Sequence, residues 1–477
     1  MLFNSIDFAI FLPLVFILYW FVFKKLKSQN ILMLIASYVF YGWWDWRFLS
    51  LILFSTILDY SIGVLLAKEN SLLKRKVLLF TSLGVNLGFL GFFKYYNFFL
   101  DNFIAAFTFF GGNFTAEPLH IILPVGISFY TFQTLSYTID VYKKNLEPAK
   151  DFISFATFVS FFPQLVAGPI ERASNLLPQF YKNRVFNKGQ ALDGMRQILW
   201  GLFKKIVIAD QCAEYANLIF NNSESYNGVT LVLGALFFTF QIYGDFSGYS
   251  DIAIGVSRLF GFNLMQNFAF PYFSRDIAEF WRRWHISLST WFRDYLYIPL
   301  GGSKGGTGMK VRNTFIIFLV SGFWHGANWT FIVWGALNAL YFLPLLLLKK
   351  NRSNMGIIAG DKLIPSFLEF RGMFLTFLLT MLSWIFFRAN NLTHALSYIK
   401  GIFNETLFEK PQIFPIITFI YLIFFLILEW QGKSNQYAIQ ETFAKNNIWL
   451  KWSFYMILLL CIIGNVSNEQ DFIYFQF

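Results

Sequence analysis

Residues 310–350 read KVRNTFIIFLVSGFWHGANWTFIVWGALNALYFLPLLLLKK. Two apolar arms, 313–324 and 328–348, are joined by a glycine-flanked turn that contains His325, and Lys or Arg closes both outer ends. Apolar runs of about 20 residues with cations at their ends are typical of helices in a lipid bilayer. Because both outer ends are cationic, both arms are predicted to begin and end on the cytoplasmic side. At 1.5 Å per residue, the first arm carries His325 about 18–20 Å into the bilayer.

The whole chain has the composition of a membrane protein. Of its 477 residues, 56% are hydrophobic and 14% are charged, whereas soluble chains carry about 25% charged residues. Too few charges are present to cover the surfaces of soluble domains, which excludes ordinary soluble enzymes, disordered chains and nucleic-acid-binding modules. The net charge of +11 fits an excess of Lys and Arg in cytoplasmic loops better than it fits an acidic partner.

Further apolar runs predict an all-α polytopic membrane protein with about 11–12 transmembrane helices in a single domain, 1–477. The alternation of basic loops places the N-terminus outside. We divide the domain into N-terminal spans (1–150), a core that carries the motifs (151–350) and C-terminal spans (351–477). The candidate spans are 8–23, 30–43, 47–67, 77–100, 119–140, 203–220, 229–257, 313–325, 328–348, 373–388, 412–430 and 452–467.

Two segments are not predicted to cross the bilayer. The apolar segment 152–169 has cations on both sides and contains Pro163, Gly168 and Pro169, which predicts a re-entrant segment that lines a cavity, with a kinked ordinary helix as the alternative. The second segment is SRDIAEFWRRWHISLSTWFRDYLYIP (274–299). It predicts one amphipathic helix in the cytoplasmic interface, followed by a flexible basic loop, 301–312. Its apolar face carries Trp281, Trp284, Leu288, Trp291 and Tyr295.

Ionisable residues inside apolar sequence are candidates for chemistry, because they are costly in lipid. Asp245 and Asp251 lie in QIYGDFSGYSDIAIG (241–255), a stretch expected to be interrupted by its glycines; pairing with backbone or with an Arg is the alternative interpretation. His285 is alternatively an interfacial anchor. His325 has the position expected of a membrane-embedded base, and a histidine satisfied by a backbone carbonyl is the alternative. No spacing of His, Cys or carboxylates predicts a metal site, and none predicts an acyl-cysteine intermediate.

Several motifs together resemble the membrane-bound O-acyltransferase (MBOAT) family, in particular its bacterial branch of alginate O-acetylation proteins. The two most specific are FWRRWHISLSTWFRDYLYIPLGG (280–302) and SGFWHGANWTFIVWG (321–335). The resemblance covers nearly the whole chain, and its other parts are MLFNSIDFAIFLPLVFILYW (1–20), FFPQLVAGPIER (161–172), YGDFSGYSDIAIG (243–255) and FIYFQF (472–477).

The resemblance implies an acyltransferase with many helices around a central funnel or pore. His325 corresponds to the presumed catalytic residue of the family and His285 to its second signature histidine, so both are predicted to be catalytic. Trp324 and Asn328 are implied to line the same site. Further candidates for substrate binding are Asp245, Ser247, Arg282 and Arg283. The arginines would attract the phosphates of coenzyme A, although interface anchoring explains them equally well.

The expected reaction moves acetyl groups from a cytoplasmic thioester, acetyl-coenzyme A, to hydroxyls of an exported cell-surface polysaccharide. Acetyl-coenzyme A is then a co-substrate, and no bound cofactor is expected. The location implied is the cell inner membrane, and an extracytoplasmic esterase-like or acetyltransferase-like partner protein is implied to complete the transfer. The ANWTF continuation of the WHG motif favours acetyl transfer over D-alanyl transfer from a carrier protein.

Two other classes of function stay open from the sequence. One is a transporter or channel that uses His325 and the intramembrane residues Asp59, Asp140, Asp245 and Asp251. The other is a structural scaffold for a polysaccharide-synthesising complex.

Overall fold

The computed structural model describes residues 1–360, 362–441, 448–466, 470 and 472–473. Residues 474–477 of the closing FIYFQF string, and the last residue of the predicted span 452–467, lie outside the described residues. Over the described part the chain is helical and contains no strand, which confirms the predicted all-α class. The chain forms two compact units: unit 1 comprises Met1–Leu192 and Val256–Met265, and unit 2 comprises Asp193–Gly255 and Gln266–Phe477.

The helices follow one another along the chain with short connections. In order they are α1 (Ile6–Ile17), α2 (Leu26–Asp45), α3 (Leu49–Lys68), α4 (Leu72–Leu90), α5 (Tyr96–Phe109), α6 (Ile127–Tyr142), α7 (Phe152–Ser160), α8 (Phe162–Leu165), α9 (Ala173–Leu176), α10 (Lys188–Leu202), α11 (Asp210–Asn221), α12 (Gly228–Leu259), α13 (Ile277–Arg283), α14 (Ile286–Phe292), α15 (Thr307–His325), α16 (Trp329–Leu347), α17 (Phe367–Arg388), α18 (Leu392–Ile402), α19 (Ile416–Gln431) and α20 (Ile448–Asn465).

Six helical stretches within the described ranges are long and apolar enough to cross a membrane: Leu26–Lys68, Leu72–Phe109, Gly228–Leu259, Trp329–Leu347, Phe367–Arg388 and Ile448–Asn465. The first, at 43 residues, is about 65 Å long if fully helical, roughly twice the thickness of a bilayer core. Ile6–Val22, Phe152–Leu165 and Ile416–Gln431 are shorter apolar helices. The chain is therefore a multi-span membrane protein, and the count of 11–12 crossings stays a prediction.

One span begins later in the structure than the sequence predicts. The apolar segment 119–140 was expected to be helical throughout, but α6 begins only at Ile127. Pro124 disfavours helix in the residue before it and lacks a backbone donor. Gly126 then takes the left-handed conformation, with φ of 75°, immediately before the helix. The start of the predicted span is therefore wrong by eight residues.

The interrupted segment of unit 1 breaks where its sequence indicates. Helix α7 begins at Phe152, and the carboxylate of the preceding residue, Asp151, caps it by accepting a hydrogen bond from Ser154 N at 2.8 Å. It ends at Ser160, and the next residue, Phe161, which lies two residues before Pro163, has φ of −51° and ψ of 105°. A short helix, α8, follows, so the interruption is confirmed, and the re-entrant course through a bilayer stays a prediction.

Candidate active site

The segment 274–299 does not form the single amphipathic helix that its aromatic spacing predicts. Helix α13 ends at Arg283, Trp284 follows in extended conformation, and His285 takes the left-handed conformation (φ 45°, ψ 54°) before α14 begins at Ile286. Left-handed backbone is uncommon for residues other than glycine, although His is among the residues that tolerate it. The chain therefore turns sharply at the histidine instead of continuing along one face. The predicted loop 301–312 is also shorter than expected, because α15 begins at Thr307.

Asn267 holds this turn in place. Its side-chain oxygen faces the Nδ1 atom of His285 at 3.2 Å and accepts hydrogen bonds from Ser287 N at 3.2 Å and Ser287 Oγ at 2.8 Å. Its side-chain nitrogen donates to Ser250 Oγ on α12 at 3.0 Å. The backbone oxygen of Asn267 accepts from Ile286 N at 2.8 Å. One buried amide thus fixes both the backbone and the ring of His285, a role that the sequence alone did not indicate.

The hydrogen bonds also define the chemical state of the His285 imidazole. The ring is buried, and burial lowers its pKa from 6.5 to about 3, so it is neutral at pH 7. Because the amide oxygen of Asn267 can only accept, Nδ1 carries the proton and Nε2 carries the lone pair. This Nε2 atom is buried and has no hydrogen-bond partner among the residues that the structure describes. It is therefore available to accept a hydrogen bond from a bound substrate.

The second histidine lies at the tip of a closely packed helical hairpin, as predicted. His325 is the last residue of α15, and the antiparallel helix α16 begins four residues later. A β-carbon at Gly322 would lie 2.2 Å from the carbonyl oxygen of Phe331, and one at Gly335 would lie 2.3 Å from that of Phe318. Only glycine permits this approach, as is common where helices pack in membranes. The two glycines therefore bring the arms together and fix the position of the turn.

Aromatic rings enclose the His325 side chain, which is 5% exposed. The ring centroid lies 4.9 Å from that of Trp324, 5.3 Å from that of Trp334 and 5.2 Å from that of Phe387, all edge to face. Edge-to-face packing at these distances is favourable and restricts the orientation of the imidazole. Trp324 also contacts the ring of His285, with centroids 6.2 Å apart. The structure therefore brings His285, Trp324 and His325 together in unit 2.

Asn328 closes the turn after His325. Its side-chain oxygen caps α16 by accepting from Thr330 N at 3.0 Å, and its side-chain nitrogen donates to the carbonyl oxygen of Asn390 at 2.9 Å. An N-cap of this kind stabilises a helix by about 1 kcal/mol. Both ends of the Asn328 amide are therefore engaged in holding the turn, and its role in substrate binding stays a prediction.

Asp245 and Asp251 are part of a buried network of ion pairs. Lys205 Nζ lies 2.7 Å from Asp210 Oδ1 and 2.8 Å from Asp245 Oδ1. Lys204 Nζ lies 2.5 Å from Asp251 Oδ2. Pairing with an Arg was the alternative expected from the sequence, and the partners are instead these two lysines, although a Lys–Lys pair beside an apolar stretch is a usable signal. Asp245 also accepts from Ile473 N at 3.0 Å.

Glycines on α12 allow the aspartates and lysines of these ion pairs to approach each other. Helix α12 is continuous from Gly228 to Leu259, so the expected interruption at Gly244 and Gly248 is wrong. A β-carbon at Gly248 would lie 2.8 Å from the carbonyl oxygen of Gly201, and one at Gly244 would lie 2.9 Å from that of Lys204. The glycines therefore allow close approach of the segment that carries both lysines.

The remaining candidates hold backbone atoms. Ser247 Oγ donates to the carbonyl oxygen of Tyr243 within α12, at 2.6 Å. The guanidinium group of Arg282 donates to the carbonyl oxygens of Asn351 and Asn354, at 2.8 and 2.7 Å. Arg283 pairs with Glu279 at 2.9 Å and donates to the carbonyl oxygen of Ala269 at 3.1 Å. These contacts place both arginines in structural roles and do not bring them to the two histidines.

A cavity of about 260 Å³ lies against the hairpin between α14, α15 and α16. Its wall is largely apolar and includes Trp281 and Phe318; Arg352 adds positive charge, and Arg293 also lines it, paired with Asp294 at 2.7 Å. Ser321 also lines it and precedes His325 by four residues. Because residues four apart share one face of a helix, the cavity lies on the face of α15 that carries the histidine.

Comparisons with known proteins agree with the motifs. Residues 149–357, which include both histidines, match the profile of the membrane-bound O-acyltransferase family. A probable alginate O-acetylase of Pseudomonas putida is 38% identical over 504 aligned positions, covering 100% of both chains. A peptidoglycan O-acetyltransferase of Helicobacter pylori is 33% identical over 532 positions, covering 100% of this chain and 98% of its own. A teichoic acid D-alanyltransferase of Streptococcus thermophilus is 30% identical over 285 positions, covering 55% of this chain and 68% of its own.

Proposed function

Because the chain belongs to the membrane-bound O-acyltransferase family, we propose that it transfers acetyl groups from acetyl-coenzyme A to hydroxyl groups of an exported cell-surface polysaccharide. That it is a membrane O-acyltransferase follows from the family and its relatives. The proposed transfer of an acetyl group to a glycan hydroxyl rests on one observation, which is that the rings of His285 and His325 both contact Trp324. The choice of acetyl over D-alanyl rests on the relatives that align over the whole chain, which are named O-acetylases or O-acetyltransferases.

In the proposed mechanism His325 is the general base. Its imidazole takes the proton of the acceptor hydroxyl while that oxygen attacks the carbonyl carbon of the thioester. The carbon–sulfur bond then breaks, and the imidazolium returns the proton to the leaving thiolate of coenzyme A. The oxygen–acetyl bond replaces the sulfur–acetyl bond, so neither a metal nor an oxidant enters the balance. General-base assistance of this kind contributes about 10²- to 10⁴-fold to the rate.

His285 has a different role in this mechanism. Its lowered pKa, caused by burial, makes it a weak base, but its Nε2 lone pair has no hydrogen-bond partner among the residues that the structure describes. It accepts a hydrogen bond from a substrate hydroxyl or amide and so orients the substrate beside Trp324. The Asn267 amide keeps the proton on Nδ1 and thereby keeps Nε2 in its accepting state.

The cavity of about 260 Å³ is suited to the donor. Its apolar wall accommodates the uncharged arm of coenzyme A, and Arg352 offers positive charge to its phosphates. Ser321 places the cavity on the face of α15 that leads to His325. Arg352 therefore replaces Arg282 and Arg283 as the donor-binding arginine in this proposal.

In this proposal the protein lies in the cell inner membrane, with the donor on the cytoplasmic side and the glycan outside. Lys310, Arg312, Lys349 and Lys350 at the outer ends of the hairpin support this orientation through the positive-inside rule. An extracytoplasmic esterase-like or acetyltransferase-like protein receives the acetyl group or completes its transfer to the sugar.

The test is a His325→Ala variant of the full chain in sealed vesicles, supplied with acetyl-coenzyme A and glycan oligosaccharides. Release of free thiol and acetylation of the glycan are both expected to fall about 10²- to 10⁴-fold. The matched control is His120→Gln, since His120 is an exposed histidine of unit 1. Wild-type rates in a normally inserted His325→Ala protein contradict the mechanism. Flux of an ion or a sugar without loss of thioester supports the transporter alternative instead.

A further inference from the structure

A second cavity in unit 2, of about 570 Å³, has a wall made mostly of amide and hydroxyl side chains. We refer to it as the polar cavity. It lies between the residues that follow α11 and those that begin α18, and Asn222, Ser223, Asn391 and His394 are representative of its wall. Its volume is within the range of about 300–1,000 Å³ that is usual for ligand sites. Nothing in the proposed mechanism uses these residues.

The polar cavity is connected to the turn that carries His325 through the end of α17. Phe387 packs against the His325 ring, with centroids 5.2 Å apart. Three residues later, Asn390 lines the polar cavity and accepts the hydrogen bond from Asn328 at 2.9 Å. A ligand in the cavity therefore contacts the segment around Asn390, which also holds the turn that contains His325.

The polar cavity lies at the opposite end of the helices from the cationic ends of the hairpin. Helix α15 runs 19 residues, or about 28 Å, from Thr307 to His325. Lys310 and Arg312 are at its start, while the link to Asn390 is at its end. With the cationic ends in the cytoplasm, the cavity is on the extracytoplasmic side, where an exported polymer is present and acetyl-coenzyme A is not.

The wall has the hydrogen-bonding groups that sugars require. Asparagine amides offer a donor and an acceptor side by side, and hydroxyl groups offer both, which matches neighbouring hydroxyls on a pyranose ring. Phe220 also borders the cavity, but its ring is 1% exposed and stacks on Tyr398 with centroids 4.2 Å apart, so recognition of the sugar rests on the amide and hydroxyl groups. His394 Nδ1 accepts from Asn390 N at 3.3 Å, and its Nε2 lies 3.4 Å from Ser223 Oγ, so this wall is preorganised.

The charges near the wall favour an uncharged sugar. Among the described residues that line the cavity, Glu224 is the one carboxylate. Arg388 lies behind the wall, where it donates to Asn217 at 2.7 Å and to Asn221 at 3.3 Å. Burial lowers the pKa of His394 below 6.5, so that ring is neutral at pH 7. A negatively charged ligand would be repelled by Glu224, and these lining residues include no exposed cation to offset that repulsion.

We propose that the polar cavity binds an uncharged pyranose unit of the acceptor glycan and holds the polymer beside the catalytic turn. The inference rests on the proposed function, since it assigns the cavity to the acceptor of that reaction. Among exported glycans it favours neutral ones, such as chains of N-acetylated hexosamines, over polyuronates.

Direct binding to the purified full chain tests the proposal without requiring activity. The probes are an N-acetylglucosamine tetrasaccharide and an alginate hexasaccharide, titrated by calorimetry. Thr393→Trp places a large ring in the cavity wall, and Lys400→Trp, on the exposed surface of the same helix α18, is the matched control. The neutral tetrasaccharide is expected to bind the wild type and the control, and to bind Thr393→Trp about tenfold or more weakly.

A charge variant adds a second measurement. Glu224→Lys is expected to strengthen binding of the alginate hexasaccharide by about fivefold or more, since it reverses the charge of the cavity. Equal binding by wild type and Thr393→Trp, or tighter wild-type binding of the hexasaccharide than of the tetrasaccharide, overturns the proposal. Release of thiol from acetyl-coenzyme A is measured in parallel. A chain that turns over the thioester but does not bind sugar in this cavity refutes the inference and leaves the proposed function standing.

Discussion

Replacing Lys205 by Met is expected to lower the free energy of unfolding of unit 2 by about 5 kcal/mol. The ammonium group lies 2.7 Å from Asp210 and 2.8 Å from Asp245, and all three side chains are nearly excluded from solvent. Methionine fills a similar volume but leaves two carboxylates buried without their cation. Breaking one buried pair costs about 3–5 kcal/mol. With two carboxylates affected, we expect a loss at the upper end of that range, against a total stability of about 5–15 kcal/mol.

The assay is thermal unfolding of the full chain in detergent, with size-exclusion chromatography to measure the folded fraction. Adding Asp210→Asn and Asp245→Asn to Lys205→Met removes the uncompensated charges, so the triple variant should recover at least half of the loss. Lys74→Met is the matched control. Lys74 pairs with Glu69 at 3.7 Å and its side chain is 73% exposed, so a change within about 1 kcal/mol is expected.

Two results would refute this reasoning. A Lys205→Met protein with the wild-type melting temperature would show that the ion pairs do not stabilise the fold. An Asp245→Asn protein that melts like wild type but has a raised KM for acetyl-coenzyme A would instead support the substrate-binding role predicted for Asp245 from sequence.

Three further substitutions test the geometry of the site and of unit 1. Gly335→Ala should destabilise the hairpin by about 1–3 kcal/mol and reduce activity, because the added β-carbon would clash with the carbonyl oxygen of Phe318. The control is Gly308→Ala, in open space at the start of α15, which should change neither the melting temperature nor the rate of thiol release. His285→Gly and His285→Ala should both lose activity, but the alanine variant should melt lower, since left-handed backbone costs a non-glycine residue about 1–2 kcal/mol. Burial raises the pKa of Glu171 from 4.5 to about 7, so between these pH values the folded state holds a proton that the unfolded state releases. The free energy of unfolding should therefore fall as pH rises from 4.5 to 7, and Glu171→Gln should make it less dependent on pH in unfolding measured across this range.

The candidate site was predictable to the extent that its signals are local. The arms on either side of His325 are read from the lengths of two apolar runs and the cations at their ends, and the structure places the histidine at the turn between them. The break at His285 could not be read in the same way. Apolar residues continue at helical spacing through that position, and the turn depends on Asn267, which lies 18 residues earlier and is held in turn by Ser250.

The roles of the charged residues show the same division. From the sequence, Arg282 and Arg283 are expected to be cations of the cytoplasmic interface that attract coenzyme A. In the structure their guanidinium groups donate to the carbonyl oxygens of Asn351, Asn354 and Ala269. Asp245 looks like a substrate ligand in a broken helix, but it pairs with Lys205 across closely packed helices. A sequence gives the charge of each residue, and only folding selects its partner, because the partner is distant along the chain.

The sequence by itself determined that this protein lies in a membrane, that it is helical, and that it carries the motifs of an O-acyltransferase. The first two properties depend on transfer of apolar segments from water to lipid, which is a sum over neighbouring residues, and the motifs are read directly from residue identities. Tertiary structure decided which residues meet: the contact of both histidines with Trp324, the neutral state and free Nε2 of His285, and the pairing of the buried lysines. These depend on helices approaching within a few ångströms at glycines, which no local property of the chain specifies.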